Sequence, residues 1–123
     1  MSAPAFDTFL ETLREPARPT LSPARMASAL HLGVNELASL ARVHRNTVTG
    51  NPESAQLQGA MRDIVRILAA AARINEDSDR TIFWFINHPI PEFDFLTPAE
   101  LVRAGKVETV LRYLATLEGG ATG

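Results

Sequence analysis

The 123-residue chain contains no cysteine. That excludes a disulfide framework and thiolate chemistry, and it fits a reducing compartment. The opening "MSAPAFDTFLETLREP" lacks a basic start followed by an apolar run, so no signal peptide is expected. The most apolar stretch, "IVRILAAAARI", is interrupted by arginines and is too short to span a bilayer. A cytoplasmic protein with no membrane partner is therefore expected. Catalytic signatures are also missing. There is no glycine-rich phosphate loop, no HExxH and no GxSxG. His31, His44 and His88 fall in three separate segments, none at metal-ligand spacing with a carboxylate. Asp77 and Asp79 sit in a cap-like turn, where solvation and the helix dipole account for them. No catalytic residue, metal or cofactor is expected.

What is present is charge of two kinds, segregated along the chain. The net charge is −2. Residues 42–73 hold five arginines against two acids, a net of +3, whereas residues 76–123 hold eight acids against four bases, a net of −4. A basic middle and an acidic end suggest two surfaces with different partners.

The punctuation is helical throughout, and an all-α fold is expected. "AFDTFLETL" places Phe6, Phe9, Leu10 and Leu13 on one helical face. Pro16, Pro19 and Pro23 form a stiff linker, and Ser22–Pro23 reads as an N-cap with a first-turn proline, opening a helix through Leu30 that Gly33 closes. Asn35 is placed to cap a short helix "ELASLA", and a further one, "HRNTV", lies between Val43 and Val48 and ends at Gly50. A long amphipathic segment follows "NPES", with Leu57, Met61, Ile64, Val65 and Leu68 on its apolar face. "NEDSD" then caps the aromatic helix "RTIFWFIN", whose five consecutive apolar residues no single face can hold. Pro89 stops it. In "LTPAEL", Thr97, Pro98 and Glu100 form a capping box with Leu96 and Leu101 as its staple, and Gly105 ends that helix. The last helix, "KVETVLRYLATLE", carries Val107, Val110, Leu111, Leu114 and Leu117 on one face and stops at Gly119 and Gly120.

Between the two C-terminal helical regions, "FINHPIPEFDFLTPAELVRAG" packs three prolines and three phenylalanines into a connection that is costly to leave in water. Trp84, Leu101, Val110, Leu111 and Leu114 are expected in the core. The outward candidates are Phe93, Phe95, Arg103, Arg112, Tyr113 and the final turn Leu117, Glu118, Gly119 and Gly120. Upstream, "LASLARVHRNTV" has the pattern of a helix-turn-helix, with a small residue at Ala38 and flanking Val43 and Val48. Arg42, His44, Arg45, Asn46 and Thr47 are its candidate DNA contacts, since arginine and asparagine suit guanine and adenine edges. Arg42 stands where the turn ordinarily has glycine. A three-helix packing unit with a basic loop fits the same residues.

"IFWFINHPIPEFDFLTPAELVRAGKVETVLRYLATLEGG" resembles the C-terminal toxin-binding domain of the Xre/MbcA/ParS-type antitoxins, in the order tryptophan helix, proline-containing loop, "TPAEL" helix, glycine break and final helix. The preceding helices look like the Xre-type N-terminal domain, so the resemblance covers most of the chain from Leu21 on and leaves "FDTFLETL" unassigned. It implies three parts: an N-terminal helix and linker over 1–20, an Xre-like helix-turn-helix domain over 21–75 and a toxin-binding domain over 76–123. It further implies neutralisation of a cognate RES-domain toxin that degrades NAD or uses it for ADP-ribosylation, by occlusion of the NAD pocket. Operator DNA is implied as a second partner. Apolar helices at both ends favour a homodimer within a larger complex, although the N-terminal face could equally fold back on the core. The alternative is a stand-alone helix-turn-helix regulator whose C-terminal unit only dimerises.

Overall fold

The computed structural model describes residues 2–15 and 20–120, with side chains for all of these but 2–5 and 120. Eight α-helices account for most of them: α1 (Ser2–Thr12), α2 (Pro23–Ala29), α3 (Val34–Ala41), α4 (Arg45–Gly50), α5 (Ala55–Ala72), α6 (Ser78–Asn87), α7 (Pro98–Arg103) and α8 (Val107–Gly120). The fold is all-α. Among the described residues the only extended pairings are the isolated bridges Arg14–Leu21 and Ile90–Leu96. No helix among them is long and apolar enough to cross a membrane. The proline linker over 16–19 lies outside the described residues.

The core is one cluster of buried apolar side chains running from Phe6 in α1 to Leu114 in α8. α5 is its axis. Its Leu57, Met61, Ile64, Ile67 and Leu68 are fully buried, with Val65 half-buried at the edge of the face. α1, α3, α6 and α8 all pack against α5, while α7 bridges α3, α6 and α8. The N-terminal helix folds back: Phe6 and Leu13 are buried, and the backbone returns through Ser22 N–H to Leu13 O at 2.7 Å and Glu15 N–H to Thr20 O at 2.9 Å. Its apolar face is therefore spent within the molecule.

Three helices end in the same way. One or two residues past the end of α2, α3 and α7 the backbone turns left-handed, at His31 (φ 59°), Arg42 (φ 59°) and Gly105 (φ 80°). In each case the next N–H reaches back five residues, from Leu32 to Ala27 O at 2.8 Å, Val43 to Ala38 O at 3.0 Å and Lys106 to Leu101 O at 2.8 Å. This double-bonded exit satisfies the last helical carbonyls. The expectation that Gly33 closes α2 is corrected by this geometry, because His31 does so. Gly33 instead opens α3, donating its N–H to Glu36 Oε1 at 2.8 Å, and Asn35 lies within the first turn rather than at the cap.

The expected starts at Ser22 and Thr97 are present. Ser22 Oγ accepts from Arg25 N–H at 3.1 Å, and Pro23 takes the first helical position. Thr97 Oγ1 accepts from Glu100 N–H at 3.1 Å while Glu100 Oε1 accepts from Thr97 N–H at 2.8 Å. In α6, Asp77 caps the first turn and the five apolar residues divide. Ile82 and Phe85 are buried, Trp84 and Ile86 half-buried, and Phe83 is 68% exposed. Trp84 and Leu111 are thus at the margin of the core rather than inside it. A second correction concerns the C-terminus: Gly119 lies within α8, which runs to Gly120, the last described residue.

Candidate functional site

The segment that looked awkward to solvate is organised around Ile90. Its side chain is fully buried, and its backbone makes three hydrogen bonds: Ile90 N–H to Leu96 O, and Phe93 and Phe95 N–H to Ile90 O; Leu96 N–H to Phe93 O then closes the turn, all at 2.9–3.0 Å. Pro91–Phe93 form a single 3₁₀ turn inside this loop. Asp94 and Phe95 follow in consecutive left-handed conformations at φ 55° and 62°. For a bulky residue such as phenylalanine this is costly, and it persists only because the surrounding hydrogen bonds over-determine it. The result is that Phe95 projects, 66% exposed. Phe93 turns the other way and meets Tyr113 of α8 edge-on, ring centres 5.5 Å apart. Burial, and then the Glu92 carboxylate, push the Tyr113 phenol above the ordinary tyrosine range.

The other C-terminal candidates are dispersed. Arg112 is exposed on α8, and Arg103 is exposed at the end of α7, where it lines a groove with Glu36 of α3. Leu117, 41% exposed, rims an apolar cavity of about 170 Å³ with Ile74 and the half-buried Trp84. Glu118 is held back against α5 by Arg73, Nε to Oε2 at 3.1 Å. Gly119 lies in helical backbone with open space where a side chain would stand. The structure thus brings Phe93 and Tyr113 together, with Phe95 turned outward from the same loop, and it leaves Arg103 at the end of another helix, α7. The exposed Phe83 and Ile74 were missed in sequence: Phe83 sits in an unbroken run of five apolar residues that reads as core, and Ile74 is a lone apolar residue between Arg73 and Asn75 with no local pattern to mark it.

In the basic segment, α4 begins with His44 as its N-cap, the ring Nδ1 accepting from Asn46 N–H at 3.1 Å. Arg45 and Asn46 are exposed, Thr47 is half-buried and Val48 is buried. Arg42 takes the left-handed backbone that a turn glycine would supply, so the turn keeps that geometry without the glycine. Its carbonyl accepts from Gln56 Nε2 at 2.8 Å. Its guanidinium points away from α4: a Cβ placed on Gly105 would stand 2.6 Å from Arg42 Nη1. Four of the five expected DNA contacts therefore cluster at the start of α4, and Arg42 reaches to the α7–α8 turn instead. Among the described residues no three His, Asp or Glu side chains converge as metal ligands. No protein-family model, no curated protein and no solved structure matches the chain.

Proposed function

We propose that this chain is an antitoxin that binds a RES-domain, NAD-consuming toxin through its C-terminal helices and covers the toxin's active-site cleft, with operator DNA as a second partner of α4. The observation that carries the toxin half is Phe95. An aromatic ring held two-thirds in solvent by a strained, fully hydrogen-bonded loop spends stability on display, and exposed aromatics of this kind anchor protein interfaces. The Phe93–Tyr113 pair anchors the same loop to α8. Two further supports are the resemblance of residues 80–120 to the toxin-binding domain and the net charge of −4 over 76–123, which complements a pocket built to receive the phosphates of NAD.

The test is Phe95→Ala in the full chain, assayed by cell growth and NAD turnover with the toxin encoded beside it. Removal of an exposed ring leaves stability within about 0.5 kcal/mol, so the folded variant reports on binding alone. The expected outcome is a loss of about 2 kcal/mol or more in toxin affinity, the scale of an interface anchor. Full protection by the variant refutes the assignment.

A stand-alone regulator is the second reading, and the left-handed Arg42 turn leading into an exposed α4 favours it. It predicts specific binding to the protein's own upstream DNA with no toxin present, lost on Arg45→Ala with Asn46→Ala, and no RES-type reading frame nearby. A gel shift at stated salt separates the two.

A further inference from the structure

We propose that the groove between the end of α1 and α5 is a phosphate site that engages the backbone of double-stranded DNA. The groove has a volume of about 520 Å³, and its walls carry Arg14, Arg62 and Arg66 against Asp63 as its one acid, a net lining charge of +2. Leu21 and Gly59 complete it. Arg62 and Arg66 lie one helical turn apart on α5, and Arg14 faces them from the end of the α1 segment. Arg66 divides its guanidinium between Asp63 at 3.1 Å and Glu108 at 3.4 Å, and Arg14 reaches Glu11 at 3.6 Å. Arg62 has no ion-pair partner among the described residues. Its Nη2 lies 3.9 Å from where a Cβ on Gly59 would stand, so the guanidinium lies close to the glycine that lines the groove with it.

Guanidinium forks match phosphate oxygens in pairs, which makes an arginine-walled groove a phosphate receptor. Duplex DNA is favoured as the source for two reasons. Residues 42–73 carry net +3 in a chain that is acidic elsewhere, so a long-range field steers a polyanion to this side. The groove also adjoins α4: the buried Gln58 at its head donates from Nε2 to Leu21 O and to Pro52 O, both at 2.8 Å, and Pro52 follows two residues after α4 ends. A duplex read by α4 can therefore continue along α5, where Arg62 and Arg66, about 6 Å apart along the axis, meet the phosphates of one strand. Such contacts supply affinity and register without reading sequence. The proposal rests on the DNA-contacting half of the function above and is independent of the toxin half.

The experiment titrates the full chain against its own upstream duplex and an unrelated duplex over a range of salt. Arg14→Gln with Arg62→Gln is expected to weaken both by the same factor, roughly tenfold to a hundredfold at 0.1 M salt, and to flatten the slope of log affinity against log salt by about 1.8, or 0.9 per phosphate lost. Asp63→Asn, which frees Arg66 from one of its carboxylates, is expected to tighten both, a gain that misfolding cannot mimic. An unchanged slope in both variants overturns the groove. So does a loss of toxin protection at unchanged DNA binding, because the groove then serves a protein. If Arg45→Ala with Asn46→Ala abolishes binding to the upstream duplex while the groove variants do nothing, DNA contact by α4 stands and the groove alone falls. If the unmodified chain binds no duplex at the lowest salt, both fall.

Discussion

Among the described residues four other than glycine hold left-handed backbones, and they divide by purpose. His31 and Arg42 close helices, whereas Asp94 and Phe95 display a side chain. Each costs on the order of 1–2 kcal/mol that glycine would not incur. Gly105 is the reciprocal case, since its φ of 80° is strained for any side chain and its missing Cβ makes room for Arg42. Gly105→Ala is expected to cost about 1–2 kcal/mol in denaturant unfolding. The arginine head is flexible and can move aside, so the backbone carries most of that loss. Arg42→Ala in the same chain should recover only a few tenths of it; a full rescue would place the strain in the contact instead. Tyr113 gives a second residue-scale expectation. Its folded phenol titrates above the unfolded value of 10.0, so between the two the folded state holds the proton more tightly. The unfolded chain then gains by ionising first, and stability falls as pH rises past about 10. Tyr113→Phe should remove that alkaline loss in pH-dependent melts, and an identical alkaline profile would assign it to other groups.

At the scale of elements, caps set where the helices begin. Thr97→Ala should cost about 1 kcal/mol by thermal melting, with most of that loss already present in Glu100→Ala because the two groups cap each other. Gln58→Leu should cost more, about 2–3 kcal/mol, because it strands three part-buried polar groups that its amide satisfies, the Leu21 N–H and the Leu21 and Pro52 carbonyls. A loss below about 1 kcal/mol would mean that water replaces the amide. These two side chains also mark what a sequence reader can and cannot see. Thr97 and Ser22 act on neighbours within three residues, so their chemistry is written in order along the chain. Gln58 acts on a segment 37 residues away, and nothing local announces it. Helix ends were less legible than starts for a related reason. Glycine is the signal for a left-handed exit, yet among the described residues only α7 uses one, while Gly33 serves in a helix start and Gly119 in a helix body. The outward character of Phe95 was legible; that of Phe83 was not, because a run of five apolar residues hides which one the packing leaves out.

At the scale of the molecule, α5 packs on partners from both ends of the chain, and Arg66–Glu108 and Arg73–Glu118 tie α8 along its length. These pairs are exposed, so each contributes at most about 1 kcal/mol; the shared apolar core carries the cohesion. A single cooperative transition is therefore expected, with far-UV circular dichroism and Trp84 fluorescence melting together. Two separated transitions would show that the basic and acidic halves unfold independently.

Because one end of α5 is covered by α8, which is made well after it, the fold has a clock. Ala71 and Leu114 line the same apolar cavity but are 43 residues apart in synthesis. At ribosomal speeds of about 5–20 residues per second, the α5 face waits roughly 2–9 s for α8 to be made. During those seconds the nascent chain presents the Ala71 end of α5 without its cover, and it is then open to chaperones, to proteases and to any protein whose surface resembles α8.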